Sequence, residues 1–275
     1  MIQERLKALR AEMEKRGITV YVVPTADFHE SEYVGDHFKA RKFITGFTGS
    51  AGTAVITLDE AGLWTDGRYF VQAENQLKDS TVTLYRMGEE GVPTVDEFVK
   101  DRLKEGGCLG FDGRVVNGTW GGKLEKIAAE KNVSMHVTED LIDLIWEDRP
   151  ALSKQPLFIL EEKYSGKSTA DKIADLRKAM KENGADVHIL TSLYDIAWLL
   201  NIRGNDIDYV PVVLSYLVLN ETECIWFLQE EVVDDKIRAY LEEKHITTKP
   251  YDAIYDYVPE IPADAVVLMN RGTVS

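Results

Sequence analysis

Apolar residues in the first half of the chain recur at two alternating periods. Ile2, Leu6, Leu9 and Met13 are spaced as one face of a helix, which Gly17 would end. Runs of β-branched and aromatic residues favour strands, and the short polar connection between two of these runs predicts a hairpin. The predicted helices cover residues 2–16, 69–77, 95–103 and 124–131, and the predicted strands cover residues 19–23, 53–58, 63–65, 81–85, 108–111 and 133–137. Helices that alternate with strands around one hairpin indicate an α/β fold with a sheet of mixed direction.

The second half of the chain repeats this pattern. The run LRAEMEKRGITVYVVPT aligns with LRKAMKENGADVHILTS, so that Gly17 matches Gly184. Further along, a glycine-containing loop and then the hairpin align as well, and Trp64 matches Trp226. Three blocks in the same order are better explained by duplication than by coincidence. The sequence therefore predicts two domains of one fold in tandem.

A linker is expected where the two copies meet. Residues 148–156 carry two prolines among polar residues and follow the end of a helical pattern. We expect a first domain of residues 1–150 and a second of residues 157–275. The second copy stops soon after a predicted strand, without counterparts of residues 124–137, so we expect it to be truncated.

Composition narrows the function classes. The chain is 44% apolar and 29% charged, which is typical of a globular protein, and its net charge is −15. An acidic surface repels phosphate backbones, so a nucleic-acid partner is not expected. Cys108 and Cys224 lie in apolar runs and favour buried strand positions over a disulfide. There is no apolar signal core and no run as long as a membrane span, so we expect a cytoplasmic protein without a membrane partner.

The glycine-rich run GFTGSAG, residues 46–52, invites comparison with a phosphate-binding loop. Such a loop joins a strand to the N-terminus of a helix, whose free N–H groups bind the anion. Here the run leads into a predicted strand and lacks the Gly-Lys-Thr/Ser signature. We therefore interpret these glycines as residues that permit tight turns and close approach of the backbone.

The run DFHESEYVGDH contains acidic residues and histidines, which are residue types that bind metal ions. It contains Asp27, His29, Glu30, Glu32 and His37, but no His-Glu-x-x-His pattern and no further ligands that would converge with them. A charged loop is the simpler interpretation, and we expect no metal in this chain.

The run WTDGRY ends a predicted strand and begins a helix. Trp64 is expected in the core, and Asp66 followed by Gly67 is typical of a turn or a helix cap. Arg68 comes just after the turn, at the edge of the predicted sheet, and no acidic residue stands at helical spacing from it. A loop arginine without a local structural explanation is a candidate binding residue.

Three blocks together resemble a known family. They are RKFITGFTGSAGTAVITLDEAGLWTDGRYFVQ at residues 41–72, WEDRP at 146–150 and YDIAWLLNIRGNDIDYVPV at 194–212. In this order they resemble the first two domains of the long, three-domain form of Xaa-Pro aminopeptidase. The resemblance implies two tandem creatinase N-terminal-type domains of ribonuclease H-like fold, each a mixed sheet flanked by helices.

The same resemblance implies a function for the complete protein. Members of the family remove the N-terminal residue of a peptide whose second residue is proline, and we expect this protein to form a homodimer. Their third domain, of pita-bread fold, holds two manganese ions with two aspartates, one histidine and two glutamates. None of those ligands matches a residue of this chain. We therefore expect a non-catalytic N-terminal region, inactive alone, that shapes the substrate cleft and oligomer contacts. Its expected partners are the peptide and its own catalytic domain.

Three residues inherit a substrate-binding role from the resemblance. Arg68 holds the position of the family arginine that reaches the active site and contacts the peptide. A guanidinium fork suits the carbonyl or carboxylate groups of an extended peptide. Asp27 and His29 belong to a family block that faces the catalytic domain, and they would help to shape the substrate cleft.

Two alternatives remain open from the sequence. A prolidase or creatinase relative would share the scaffold, but those enzymes carry one N-terminal domain where this chain has two copies. A non-enzymatic module that binds peptides or histones would suit the acidic charge. If the protein is such a module, the downstream sequence should lack the five metal ligands.

Overall fold

The computed structural model describes residues 1–275 and divides into two compact units. Unit 1 comprises Met1–Asp27, Asp36–Ala151 and the terminal Ser275, and unit 2 comprises Phe28–Gly35 and Leu152–Val274. Each unit has a hydrophobic core of its own. No helix is both long and apolar enough to cross a membrane.

Unit 1 is a six-stranded mixed sheet with helices on both faces. Its elements are α1 (Ile2–Lys15), β1 (Val20–Pro24), α2 (Ala40–Thr45), β2 (Thr53–Thr57), β3 (Ala61–Thr65), α3 (Phe70–Leu77), β4 (Val82–Arg86), α4 (Val95–Arg102), β5 (Cys108–Gly110), α5 (Gly118–Lys131) and β6 (Ser134–His136). The strand order is β4-β3-β2-β1-β5-β6. The β1, β2 and β3 strands pair antiparallel, and the outer strands pair parallel.

The two faces of this sheet bury different residues of the same strand. Tyr21 and Val23 of β1 pack in the cluster that includes the apolar face of α1, and Val20 and Val22 pack in the cluster that includes α4 and α5. Side chains of a strand point to alternate faces, so an uninterrupted apolar run such as VYVV is expected in a central strand that is covered on both sides.

One helix of unit 1 starts earlier than the apolar pattern predicts. The pattern begins at Leu124, but α5 begins at Gly118 because the Asn117 side chain accepts hydrogen bonds from the backbone N–H groups of Thr119 and Trp120, at 3.1 and 3.0 Å. The glycines of its first turns hide this start, since they carry no apolar signal.

Unit 2 is built on a five-stranded sheet. Its elements are β7 (Phe158–Ile159), α6 (Glu162–Ser165), α7 (Thr169–Glu182), β8 (Val187–Leu190), α8 (Leu193–Leu200), β9 (Ile202–Arg203), β10 (Ser215–Asn220), β11 (Cys224–Leu228), α9 (Asp235–Glu243), β12 (Thr247–Pro250), α10 (Ile254–Tyr257) and β13 (Val267–Leu268). The sheet order is β12-β11-β10-β8-β13, and β7 pairs with β9 in a separate ribbon.

The internal topology of unit 2 repeats that of unit 1. The β8, β10 and β11 strands pair antiparallel, as β1, β2 and β3 do, and β12 and β13 flank them in parallel. Gly17 and Gly184 end the matching helices with left-handed backbones, at φ of 67° and 65°. Trp64 and Trp226 are both buried on the matching third strand. The expected fold, two tandem α/β domains with mixed sheets, is confirmed.

Candidate functional site

The WTDGRY run forms a turn that pairs Arg68 with Asp66. The Asp66 carboxylate accepts hydrogen bonds from the Arg68 backbone N–H at 3.1 Å, from Nε at 2.8 Å and from Nη2 at 2.9 Å. Arg68 has no acidic residue at helical spacing, but the turn at Gly67 folds the arginine back onto an acidic residue two positions earlier.

This pair stays in contact with solvent. The Arg68 side chain keeps 70% of its exposure and that of Asp66 keeps 37%. The hydrogen bonds from Arg68 lower the pKa of the Asp66 carboxyl to about 2, so the pair is ionised at neutral pH. The pair uses the Nε and Nη2 donors of the planar guanidinium. The arrangement presents an oriented cation at the end of β3.

Unit 1 makes the same turn a second time. Asp112 and Arg114 frame another Asp-Gly-Arg sequence, after β5, with an equivalent set of bonds at 3.0, 3.1 and 3.2 Å. There the aspartate side chain is only 7% exposed and the arginine 44%. The bidentate geometry is thus a property of the turn. Greater exposure distinguishes Arg68 from Arg114.

Tyr69 is an aromatic neighbour of Arg68. The Arg68 guanidinium carbon lies 5.3 Å from the centre of the Tyr69 ring. The tyrosine hydroxyl in turn lies 2.6 Å from Ser50 Oγ, on the glycine-rich loop of residues 46–52. Thr65 Oγ1 also donates to the Ala51 carbonyl, at 2.7 Å. The loop therefore borders the arginine, and it continues into β2, as its sequence predicts.

His29 lies in the interior of unit 2. Since a carbonyl can only accept, Nδ1 carries the proton and donates to the Thr191 oxygen at 3.0 Å. Nε2 then accepts from the Tyr251 hydroxyl at 2.6 Å, and the ring lies 4.5 Å from that of Tyr216. With 1% of its surface exposed, the imidazole is a buried link within unit 2.

Asp27 is equally buried, at 1% exposure, but belongs to unit 1. Of the three predicted substrate-binding residues, Arg68 alone presents its side chain to solvent. The polar composition of the DFHESEY run predicts an exposed loop, so the burial of its first residues has no sequence signal. Nowhere in residues 1–275 do three or more histidine, cysteine, aspartate or glutamate side chains form a group that could hold a metal. The chain therefore does not fit the dinuclear metal centre that the resemblance implies for the complete protein.

The family assignment follows from comparison of each half with known domains. A family model described as the creatinase/prolidase N-terminal domain matches residues 5–145, and a second model of the same description matches residues 148–275. The chain belongs to the creatinase/prolidase N-terminal domain family. The repeat seen in the sequence is a tandem of two such domains.

Relatives of this tandem creatinase-type chain are Xaa-Pro aminopeptidases. The chain is 41% identical to the probable Xaa-Pro aminopeptidase P of Coprinopsis cinerea, covering 94% of this chain and 42% of the relative. It is 35% identical to aminopeptidase P2 of Arabidopsis thaliana, covering 100% and 39%. The crystal structure of the X-prolyl aminopeptidase of Caenorhabditis elegans superposes with a TM-score of 0.90 at 34% identity, covering 94% of this chain and 44% of the enzyme.

These matches confirm the resemblance to the N-terminal part of Xaa-Pro aminopeptidases. The chain spans about two fifths of the length of the relatives it matches. The Caenorhabditis elegans protein is described as a cytosolic enzyme with a di-nuclear active site.

Proposed function

We propose that this chain is the non-catalytic N-terminal region of an Xaa-Pro aminopeptidase, and that it supplies Arg68 to the peptide substrate. The observation that carries the proposal is the exposed, Asp66-oriented guanidinium at the end of β3. Its support in the family is the match of both creatinase-type domains to the N-terminal part of aminopeptidases, of which the chain covers 42% and 44%.

The chemistry of the pair suits an extended peptide. A guanidinium donates in a fixed plane, so it binds a peptide carbonyl or terminal carboxylate with defined direction. Asp66 limits the rotamers of Arg68, which lowers the entropy lost when the peptide binds. We propose that Asp27 and His29 influence the cleft indirectly, through the backbone that their buried side chains hold.

Catalysis is assigned to residues outside this chain. We propose a C-terminal catalytic domain in the complete enzyme, whose residues would hold two manganese ions. Those ions would supply the Lewis-acid chemistry for peptide hydrolysis. We propose that the complete enzyme is a homodimer in the cytosol. The Caenorhabditis elegans relative is described as cytosolic. In this proposal the chain narrows the cleft and orients the peptide.

The first test is activity of the purified chain on an Xaa-Pro-Pro peptide with manganese added. Because no residue set in the chain could hold a metal, we expect no turnover above the metal-only control. Turnover that a chelator abolishes would contradict the proposal that the catalytic residues lie outside this chain. The gene should also encode, beyond Ser275, two aspartates, one histidine and two glutamates in family order. Their absence would favour a non-enzymatic binding module.

The second test is Arg68→Ala in the full-length enzyme. Loss of a hydrogen bond to a charged group costs about 1.5–3 kcal/mol, so we expect KM for the tripeptide to rise about tenfold to a hundredfold. Arg114→Ala is the matched control, because it removes the arginine of the second Asp-Gly-Arg turn in the same unit. Equal effects of the two substitutions would argue for a structural role of both turns.

A further inference from the structure

Arg41 is a buried arginine that no sequence pattern singles out. It is 3% exposed, and its guanidinium donates to Thr25 Oγ1 at 2.9 Å, to the Phe47 carbonyl at 2.7 Å and to the Gly49 carbonyl. No carboxylate pairs with it, and burial lowers its pKa to about 10. A desolvated cation satisfied only by neutral oxygens is costly, so a buried apolar residue would serve stability better.

What Arg41 fixes is the backbone of the 46–52 loop. Two of its three acceptors are carbonyls of that loop, and a fork of N–H groups holds two carbonyls in one plane. Gly49 completes the arrangement, because a Cβ at that position would lie 2.2 Å from Phe47 Cζ. The loop is thus held in a form that seats the Phe47 ring.

A series of ring contacts runs from Phe47 to Arg68. The Arg41 guanidinium lies 4.7 Å from the centre of the Phe47 ring, and Phe47 meets Tyr69 edge to face with centroids 6.0 Å apart. Tyr69 is held at its hydroxyl by Ser50, and Arg68 lies over its ring. Cation–aromatic and aromatic pairs of this kind have preferred geometries, so each member restricts the next.

We propose that Arg41 is a positioning residue for Arg68, acting through the 46–52 loop, the Phe47 ring and the Ser50–Tyr69 hydroxyl contact. The inference deepens the proposed function and rests on it, since it concerns how the peptide-binding guanidinium is held. Arg41 does not touch the peptide. It sets the orientation of the surface that carries Arg68.

The test is a double-mutant cycle in the full-length enzyme, with KM and kcat for an Xaa-Pro-Pro peptide as readouts. Tyr69→Phe keeps the ring and removes the hydroxyl held by Ser50. We expect KM to rise about fivefold with kcat unchanged, as for the loss of one hydrogen bond that orients substrate. In an Arg68→Ala background the same substitution should have no effect, because nothing remains to be positioned. Arg41→Lys should behave in the same way.

Tyr85→Phe is the control, since the Tyr85 ring also stacks in unit 1, against Trp64. Equal KM effects of Tyr69→Phe with and without Arg68 would overturn the inference and indicate general destabilisation. If Arg68→Ala itself leaves KM unchanged, the proposed function fails instead, and the two failures are distinguishable.

A second readout needs no catalysis and uses the 275-residue chain. The Arg68 Nε–H resonance reports its pairing with Asp66, and we expect Ser50→Ala and Tyr69→Phe to shift it while Tyr85→Phe does not. Ser50 lies on the surface, so its substitution tests this series of contacts even if Arg41→Lys fails to fold. An Arg68 resonance that neither substitution moves would overturn the positioning role.

Discussion

At the scale of single residues, Arg68 and Asp66 act as one unit. Surface ion pairs contribute little to stability, with typical values of about 0–1 kcal/mol, because solvent screens them and ordering two side chains costs entropy. The bidentate bonds between these two residues therefore matter more for direction than for stability. A guanidinium held in one plane can select the orientation of a peptide group, which a mobile lysine could not do.

The pairing can be measured through the titration of Asp66. Its pKa is lowered to about 2 by the Arg68 hydrogen bonds. A depressed pKa means that the contribution of the pair is present above the ordinary value near 3.8 and is lost as the pH falls towards 2. We expect Arg68→Ala to return the pKa of Asp66 to its ordinary range, as followed by side-chain carboxyl NMR. Arg114→Ala should leave it unchanged, and an unperturbed Asp66 in the wild type would contradict the pairing.

At the scale of helices and strands, periodicity predicts the elements whose bounds are specified by local sequence. Strands β1 to β4 and helix α1 lie within one or two residues of their predicted bounds, because apolar spacing and turn residues specify them. The short α2 helix has no bounds that the pattern defines, since six residues cannot display a helical period. Neither does the sequence indicate that Arg41, within α2, is buried, because arginine is ordinarily exposed and its acceptors here are backbone carbonyls.

The segment of residues 28–35 shows the same limit. Its polar side chains predict an exposed loop, yet His29 bridges Thr191 and Tyr251 at long sequence separations. Such partners cannot be read from local spacing. The expected cleft role of Asp27 and His29 stays a prediction, but their burial restricts it to an indirect one.

Removal of the imidazole provides a test of this link. His29→Ala leaves the Thr191 carbonyl and the Tyr251 hydroxyl without their buried partner, so we expect the free energy of unfolding to fall by about 2–4 kcal/mol. Urea denaturation followed by intrinsic fluorescence measures this loss. Glu32→Ala is the matched control, because Glu32 belongs to the same segment and is exposed. A His29→Ala variant as stable as this control would show that the imidazole is dispensable.

At the scale of the whole molecule, the two units are not continuous in sequence. The structure divides the chain between Ala151 and Leu152, within the predicted linker, and additionally assigns Phe28–Gly35 to unit 2. Unit 2 is therefore built from two separate stretches of chain. Duplication accounts for the repeated topology. The assignment of residues 28–35 to unit 2 has no counterpart in the repeat pattern of the sequence.

This organisation predicts that residues 152–275 alone form an incomplete unit 2. Without residues 28–35, the Tyr216 and Tyr251 rings lose the imidazole that packs against them, and buried apolar surface becomes exposed. We expect the fragment to unfold at a lower temperature than unit 2 of the intact chain. A synthetic peptide of residues 27–36 should raise its Tm in a concentration-dependent manner, because a ligand that binds only the folded state stabilises it by mass action. The same peptide with His29→Ala should raise the Tm less at equal concentration, since it lacks the bonds to Thr191 and Tyr251. A fragment that is fully stable alone and indifferent to both peptides would mean that the segment contributes nothing to unit 2 beyond its covalent connection.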